Sequence, residues 1–298
     1  MNQKAEDFPM AEQMIAVFCD IDDFCIEYEK HMITGEGAAI PKTKMELSEI
    51  MTIAVMYHLS HYREFKWYYK NLVSKDWRGY FPKLVSYNRF VEIMQTISVP
   101  LILYLMRDGF GKCSGINFAD STSLDVCDNR RIHSHKVFKG LATRGKSSTG
   151  WFFGFKLHIV INDRGEILSF CITPANVDDK DWEVMSHLTQ NLFGKLFADK
   201  GYMSPKLFAK LWERNIQLVT KIRKNMKNKL MNLTDKLLLR KRAVIECVND
   251  FLKNICDIEH SRHRSINNFF TNAFSALVAY SFLPKKPAIS LPNLSIAV

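Results

Sequence analysis

Residues 151–173, WFFGFKLHIVINDRGEILSFCIT, decide the fold. Two apolar runs rich in aromatic and β-branched residues, Trp151–Ile161 and Glu166–Thr173, flank Asn162-Asp163-Arg164-Gly165, a run of turn formers. That pattern predicts two strands joined by a tight turn. Upstream, Asn117–Ser121 predicts a third strand. Downstream, the periodicity predicts a helix from Asp181 to Leu192, a strand at Lys195–Asp199, a helix opening at Ser204-Pro205 and a short strand at Gln217–Thr220. A long helix follows over Thr234–Ile255, then an apolar helix over 266–283. An antiparallel start feeding a strand–helix alternation predicts an α/β sheet covered by helices.

Residues 1–115 differ. Segments around 11–31, 46–57, 62–73 and 87–106 carry apolar residues at three- and four-residue spacing, which predicts helices. The stretch Leu47–Phe90 is basic and rich in Tyr and Trp. Within it Ser86-Tyr87-Asn88-Arg89 opens a helix with a capping serine, as a DNA-recognition helix does; the alternative is a packed bundle with no direct function. Beyond Pro284 the proline-rich tail is expected to be loosely ordered.

With 298 residues, 47% of them apolar, the chain can build one large domain and a smaller one. It holds no apolar run of membrane-spanning length, and its first residues lack the basic start and apolar stretch of a signal peptide. A cytoplasmic protein is expected. Seven irregularly spaced cysteines then read as reduced thiols. Cys256, His260 and His263 hint at zinc but lack a fourth ligand and any CxxC pair.

The net charge of +10 is unevenly spread. Residues 1–41 carry two basic against nine acidic groups, whereas 116–298 carry 28 against 16. Such a basic half suits an extended polyanion, because neutralised phosphates release condensed counterions. Basic residues crowd 130–158, among them Lys136, Lys139, Arg144, Lys146 and Lys156, and again 221–242.

Three carboxylates stand out. Asp120 in INFADST and Asp199 in LFADKGY end apolar runs that read as buried strands. An acid there is costly unless a cation or hydrogen bonds hold it, and sites in open α/β sheets lie beyond the carboxyl ends of strands. A capping or turn role is the plainer alternative for each. On the third segment, helical geometry puts Ile245, Val248, Leu252 and Ile255 on one stripe, with Arg242, Glu246 and Lys253 on an adjoining arc. A solvated ion pair is the alternative there. A rival acidic set, Asp125, Asp178, Asp179 and Asp181, is more loop-like and less suited to metal, although Asp178 or Asp179 can lie near the site.

Gly140-Leu141-Ala142-Thr143-Arg144-Gly145-Lys146-Ser147 matches the nucleotide-binding pattern GxxxxGK[ST]. A P-loop needs a buried strand before it and a helix after it. Here a polar, basic segment precedes and a glycine- and aromatic-rich strand follows, so a basic hairpin that contacts DNA fits better.

Taken together, FADST, HKVFKGLATRGKSSTGWFFGFKLH, ITPANVDD, FADKGY and IEHSRHRS resemble a bacterial insertion-sequence transposase of the DDE class, most closely the nine-eighty-two group. Arg242-x3-Glu246-x6-Lys253 is similar to that class's Tyr-x2-Arg-x3-Glu-x6-Lys signature, with Leu239 at the Tyr position. The resemblance implies an RNase H-like catalytic domain over 113–284, a helical DNA-binding region over 1–112 and a loosely ordered tail over 285–298. It implies Asp120, Asp199 and Glu246 as the acidic triad, Mg²⁺ (or Mn²⁺) as cofactor, and Arg242 and Lys253 on the DNA phosphates. The implied partners are double-stranded DNA, as terminal inverted repeats and as target, and a second copy of the chain at synapsis. Within the bacterial cell that places the protein at the nucleoid. A nuclease of the same fold without strand transfer, and a DNA-binding protein without catalysis, are the alternatives.

Overall fold

A computed structural model describes residues 10–33, 43–147, 150–221, 231–259 and 263–290. The chain divides into two units. The first takes in the described residues up to Gly109 together with Leu252–Ile258 and His263–Phe282; the second takes in those of Phe110–Phe251, Glu259 and those from Leu283 on.

The first unit is helical. It holds α1 (Met10–Ile33), α2 (Leu47–Leu59), α3 (Phe65–Tyr68), α4 (Tyr87–Met94) and α5 (Ser98–Tyr104). In α1, Met14, Val17, Ile21, Phe24 and Cys25 form one buried stripe, so that helix is amphipathic. By contrast α2 is buried on every side, as its nearly unbroken apolar sequence requires. Pro100 stands in the first turn of α5, where a missing N–H is tolerated, and the segment expected as one helix over 87–106 is two. The segment expected over 62–73 is the short α3 followed by a wider π-helical turn, Tyr69–Asp76.

The aromatic residues of this unit are mostly core. Phe65, Tyr69 and Phe90 pack ring to ring, while the Tyr68 and Tyr69 hydroxyls donate to the carbonyls of Ile53 (3.0 Å) and Val85 (2.7 Å). Ser86 caps α4 by accepting from Arg89 N–H. The helix expected over 266–283, α10 (Ile266–Ser281), groups with this unit and not with the sheet. It is a core helix, buried without a break from Thr271 to Tyr280, with Thr271, Asn272 and Ser275 as buried polar residues.

The second unit is built on a six-stranded sheet of order β2-β3-β1-β5-β6, with β4 also paired to β3. The strands are β1 (Ile116–Cys127), β2 (Thr143–Ser147), β3 (Gly150–Asn162), β4 (Ile167–Pro174), β5 (Gly194–Ala198) and β6 (Ile216–Thr220). β1 pairs with β3 antiparallel and with β5 parallel, and β5 pairs with β6 parallel. The mixed α/β architecture expected from the sequence is therefore present. Between strands lie α6 (Trp182–Leu188) and α7 (Pro205–Trp212), whose Val184, Met185, Leu188, Leu207 and Leu211 pack with Ala119, Val160, Leu196 and Ala198 of the sheet. The expected helix over Thr234–Ile255 is two helices, α8 (Leu233–Lys241) and α9 (Ala243–Asn254). At the joint, Ile245 N–H donates to Arg242 C=O three residues back, tightening the turn and turning Arg242 inward.

β1 runs seven residues past Asp120, further than the strand expected at Asn117–Ser121. β3 keeps pairing with it through Cys127, whereas β5 stops at Phe118. Residues 285–290 are tied down in part: Ile289 N–H donates to Asp163 C=O at 2.9 Å, and the Pro287 carbonyl lies against Gly165. No single helix among the described residues is long and apolar enough to cross a membrane.

Candidate active site

The site begins where β1 and β5 part. Their last registered pair is Phe118–Phe197, whose rings stack at 5.4 Å. Two residues further along each strand stand Asp120 and Asp199. By the two-residue period Asp120 points to the face of Phe118, and Asp199, with extended backbone, lies one residue past the end of β5. Asp199 follows β5 directly and starts the Lys200–Tyr202 turn, but its carboxylate does not cap that turn.

Asp120 lies within the sheet, its side chain 22% exposed. One carboxylate oxygen accepts from Asn249 Nδ2 at 3.2 Å, and the other lies 3.8 Å from Arg242 Nη1. Burial pushes this carboxyl up to about 6; Arg242 and the Ser121 N–H oppose the rise, while Glu246 and Asp179 add to it. The Arg242 side chain is itself largely buried, and its Nη2 donates to Glu246 Oε1 at 2.6 Å. Arg242 thus spans an acid of β1 and an acid of α9. Its Nη1 and the Asn249 Oδ1 are buried without a hydrogen-bond partner among the described residues. Such atoms are costly to leave unpaired.

The donor set suits a hard divalent cation: carboxylates from three elements, one of them held at an unfavourable charge state by burial. The side chains are not drawn together, however. Among the described residues no three of His, Cys, Asp or Glu converge as metal ligands. Glu246, 57% exposed, is turned to Arg242. Lys253 follows Glu246 by seven residues in α9, two turns on and on the same side of the helix.

Behind Asp120 lies a polar layer that includes Asp179, one of the two aspartates that the sequence allows near the site. Asp179 accepts from Ser121 Oγ at 2.8 Å and from Lys156 Nζ at 3.1 Å, and His158 Nδ1 lies 3.9 Å away. His158 is fully buried, with Nε2 bonded to Thr173 Oγ1 at 2.9 Å. Tyr202 is buried beside them, its hydroxyl pushed well above the ordinary range by burial and then by Asp179 and Asp120. Asp179 was placed in the rival acidic set, whose other members have separate work. Asp181 caps α6, Asp178 pairs with Lys180, and Asp125 is a half-buried residue of β1. ITPANVDD carried the only signal, and it does not say which aspartate turns inward.

Of the cations expected on phosphate, Lys136, Lys139, Arg144 and Lys146 are exposed. Lys156 is different: its side chain is 15% exposed and its ammonium donates to Val177 C=O (2.8 Å) and Asp179 (3.1 Å). In the run 221–242, residues 222–230 lie outside the described ones, as does His260 of the suggested zinc cluster, whose Cys256 is buried.

The P-loop match has a structural explanation. Its second half is β2, an edge strand paired antiparallel to β3. A Cβ on Gly145 would come 2.4 Å from Ala175 C=O, and Gly140 has a left-handed φ of +82°. Both glycines serve backbone geometry.

Residues 110–266 match the family model described as the transposase DDE domain, and the chain belongs to that family. Comparison with curated proteins gives no match. Among solved structures, the chain is similar to a cryo-EM structure of piggyBac transposase in a synaptic complex with hairpin DNA. The TM-score is 0.46 at 10% identity, over 89% of this chain and 72% of that one.

Proposed function

We propose that the chain is a DNA transposase of the insertion-sequence nine-eighty-two group that cleaves at the ends of its element and joins the freed 3′-hydroxyl to target DNA. The observation that carries the reading is the matched position of Asp120 and Asp199 past the last β1–β5 pair, with Arg242 linking Asp120 to Glu246. An RNase H-like fold for the catalytic part is supported by an antiparallel set, β1 to β4, leading into parallel β5 and β6.

In this reading Asp120, Asp199 and Glu246 would hold Mg²⁺ or Mn²⁺, Glu246 first leaving Arg242. A divalent cation would supply Lewis-acid stabilisation of the charge that develops at the reacting phosphate. Arg242, freed from Glu246, and Lys253 take the phosphate next to the reacting one and offset its charge. Asn249 keeps Asp120 oriented. The helical region over 1–112 reads the inverted repeats, and two copies bring the ends together at the nucleoid.

A supercoiled plasmid and a pre-cut end fragment, taken from DNA flanking the gene, test the proposal. Joined products are expected. Cutting without joining identifies a nuclease instead, and DNA binding without either identifies a protein that has lost catalysis.

A further inference from the structure

Trp151, the second residue of β3, is 62% exposed. A single exposed apolar side chain is ordinary, but this one sits in a basic setting. Lys146 is its registered partner across the β2–β3 ladder, with Nζ 5.8 Å from the ring centre. The next pair on that face, by the two-residue period, is Arg144 opposite Phe153. Over 128–147 the chain holds six Lys/Arg and one acid, Asp128. The segment before β2 is anchored: Asn129 Nδ2 donates to Trp151 C=O at 2.6 Å, and His135 stacks on Phe138, whose ring meets Phe155 edge-on at 5.7 Å. The cations Lys136 and Lys139 are therefore carried on a packed segment.

The same face leads to the active site. Asp120 is registered opposite Ile159, eight residues along β3 from Trp151, so the two side chains lie on one side of the sheet roughly 26 Å apart. That span equals about eight base steps of duplex at 3.4 Å each.

We propose that Trp151, with Lys146 beside it, is a stacking site for a nucleobase of DNA bound in the active site. A basic track with an aromatic face is what binds bases by their π-surfaces. The proposal rests on the transposase reading for the identity of the polyanion. The base can come from an unpaired strand or from a duplex step opened by bending.

The test uses the full-length protein and fluorescence anisotropy with three labelled DNAs: a single strand, its duplex, and that duplex with a central mismatch bubble. For Trp151→Leu and Trp151→Ala, about tenfold weaker binding to the single strand or to the bubble is expected, with the plain duplex held within twofold. Trp151→Phe should restore most of the loss, and the salt dependence should not change. Lys146→Ala should lower the salt slope by about one. A loss confined to the single strand assigns the site to unpaired ends, and one that includes the bubble assigns it to opened steps. Trp151→Leu binding all three like the wild type, or losing all three equally, overturns the proposal. If the wild type binds none of them, the DNA reading itself fails and the inference falls with it.

Discussion

Asp120, inside β1, and Asp199, just past the end of β5, each stand two residues beyond the Phe118–Phe197 pair that closes the β1–β5 ladder. β5 ends there while β1 continues along β3, so the two acids mark the point where the sheet opens. Asp120 sits there with an unfavourable charge, offset only in part by Arg242 and Asn249.

A divalent cation should relieve that charge. Mg²⁺ or Mn²⁺ is expected to raise the thermal midpoint of the wild type by a few degrees through preferential binding to the folded state. Asp120→Asn should abolish the shift. Equal shifts in the two proteins, read by differential scanning calorimetry, would remove Asp120 from the cation site.

Arg242 is the present counter-charge. Arg242→Ala leaves the Asp120 carboxylate largely buried without its cation and should cost about 2 kcal/mol at neutral pH without divalent ions. Asp120→Asn in the same background should recover much of this, giving a coupling of about 1–2 kcal/mol in a double-mutant cycle by urea denaturation. Additive effects would show that the 3.8 Å approach has no energetic weight.

His158 gives a pH signature. Burial lowers its imidazole to about 4, with Lys156 pushing the same way and Asp179 and Asp181 opposing. The unfolded chain takes up a proton near 6.5, which the folded chain refuses until about 4. The contribution is therefore complete above pH 6.5 and is lost as pH falls through that window. His158→Gln should narrow its stability gap to the wild type between pH 7.5 and 5. A constant gap would mean that His158 takes up its proton in the fold at the same pH as in the unfolded chain.

Gly145 should not tolerate a methyl group. Its Cβ position is 2.4 Å from the Ala175 carbonyl and 2.9 Å from the Phe152 ring, so Gly145→Ala is expected to cost about 1–3 kcal/mol. ATP should leave the melting curve unchanged. An ATP-dependent shift lost in Lys146→Ala would revive nucleotide binding.

Much of this was legible in the sequence because strands and amphipathic helices have short periods. The β3–β4 hairpin, the apolar runs ahead of Asp120 and Asp199, and most of the α9 stripe follow from local pattern alone: Ile245, Val248 and Leu252 are buried, while Ile255 falls just past the end of α9 and is half-buried. What depends on pairing was not legible. Asp120 lies inside a strand because β3 outlasts β5 as its partner, which no feature of INFADST encodes. The break at Arg242 was hidden in an unbroken helical pattern, although it sets the guanidinium between Asp120 and Glu246. Lys156 reads as one more cation of a basic run; only the fold directs it to Val177 and Asp179. Asp179 looked like loop, and its role depends on the β1 serine it meets.

The most direct test of the central claim is end cleavage by Asp120→Asn, Asp199→Asn and Glu246→Gln, with end binding followed in the same samples. The account predicts that each substitution abolishes cleavage and strand transfer in Mg²⁺ while binding persists. Cleavage within a few-fold of wild type in any of the three would contradict that residue's place in the site, and in all three would contradict the site itself.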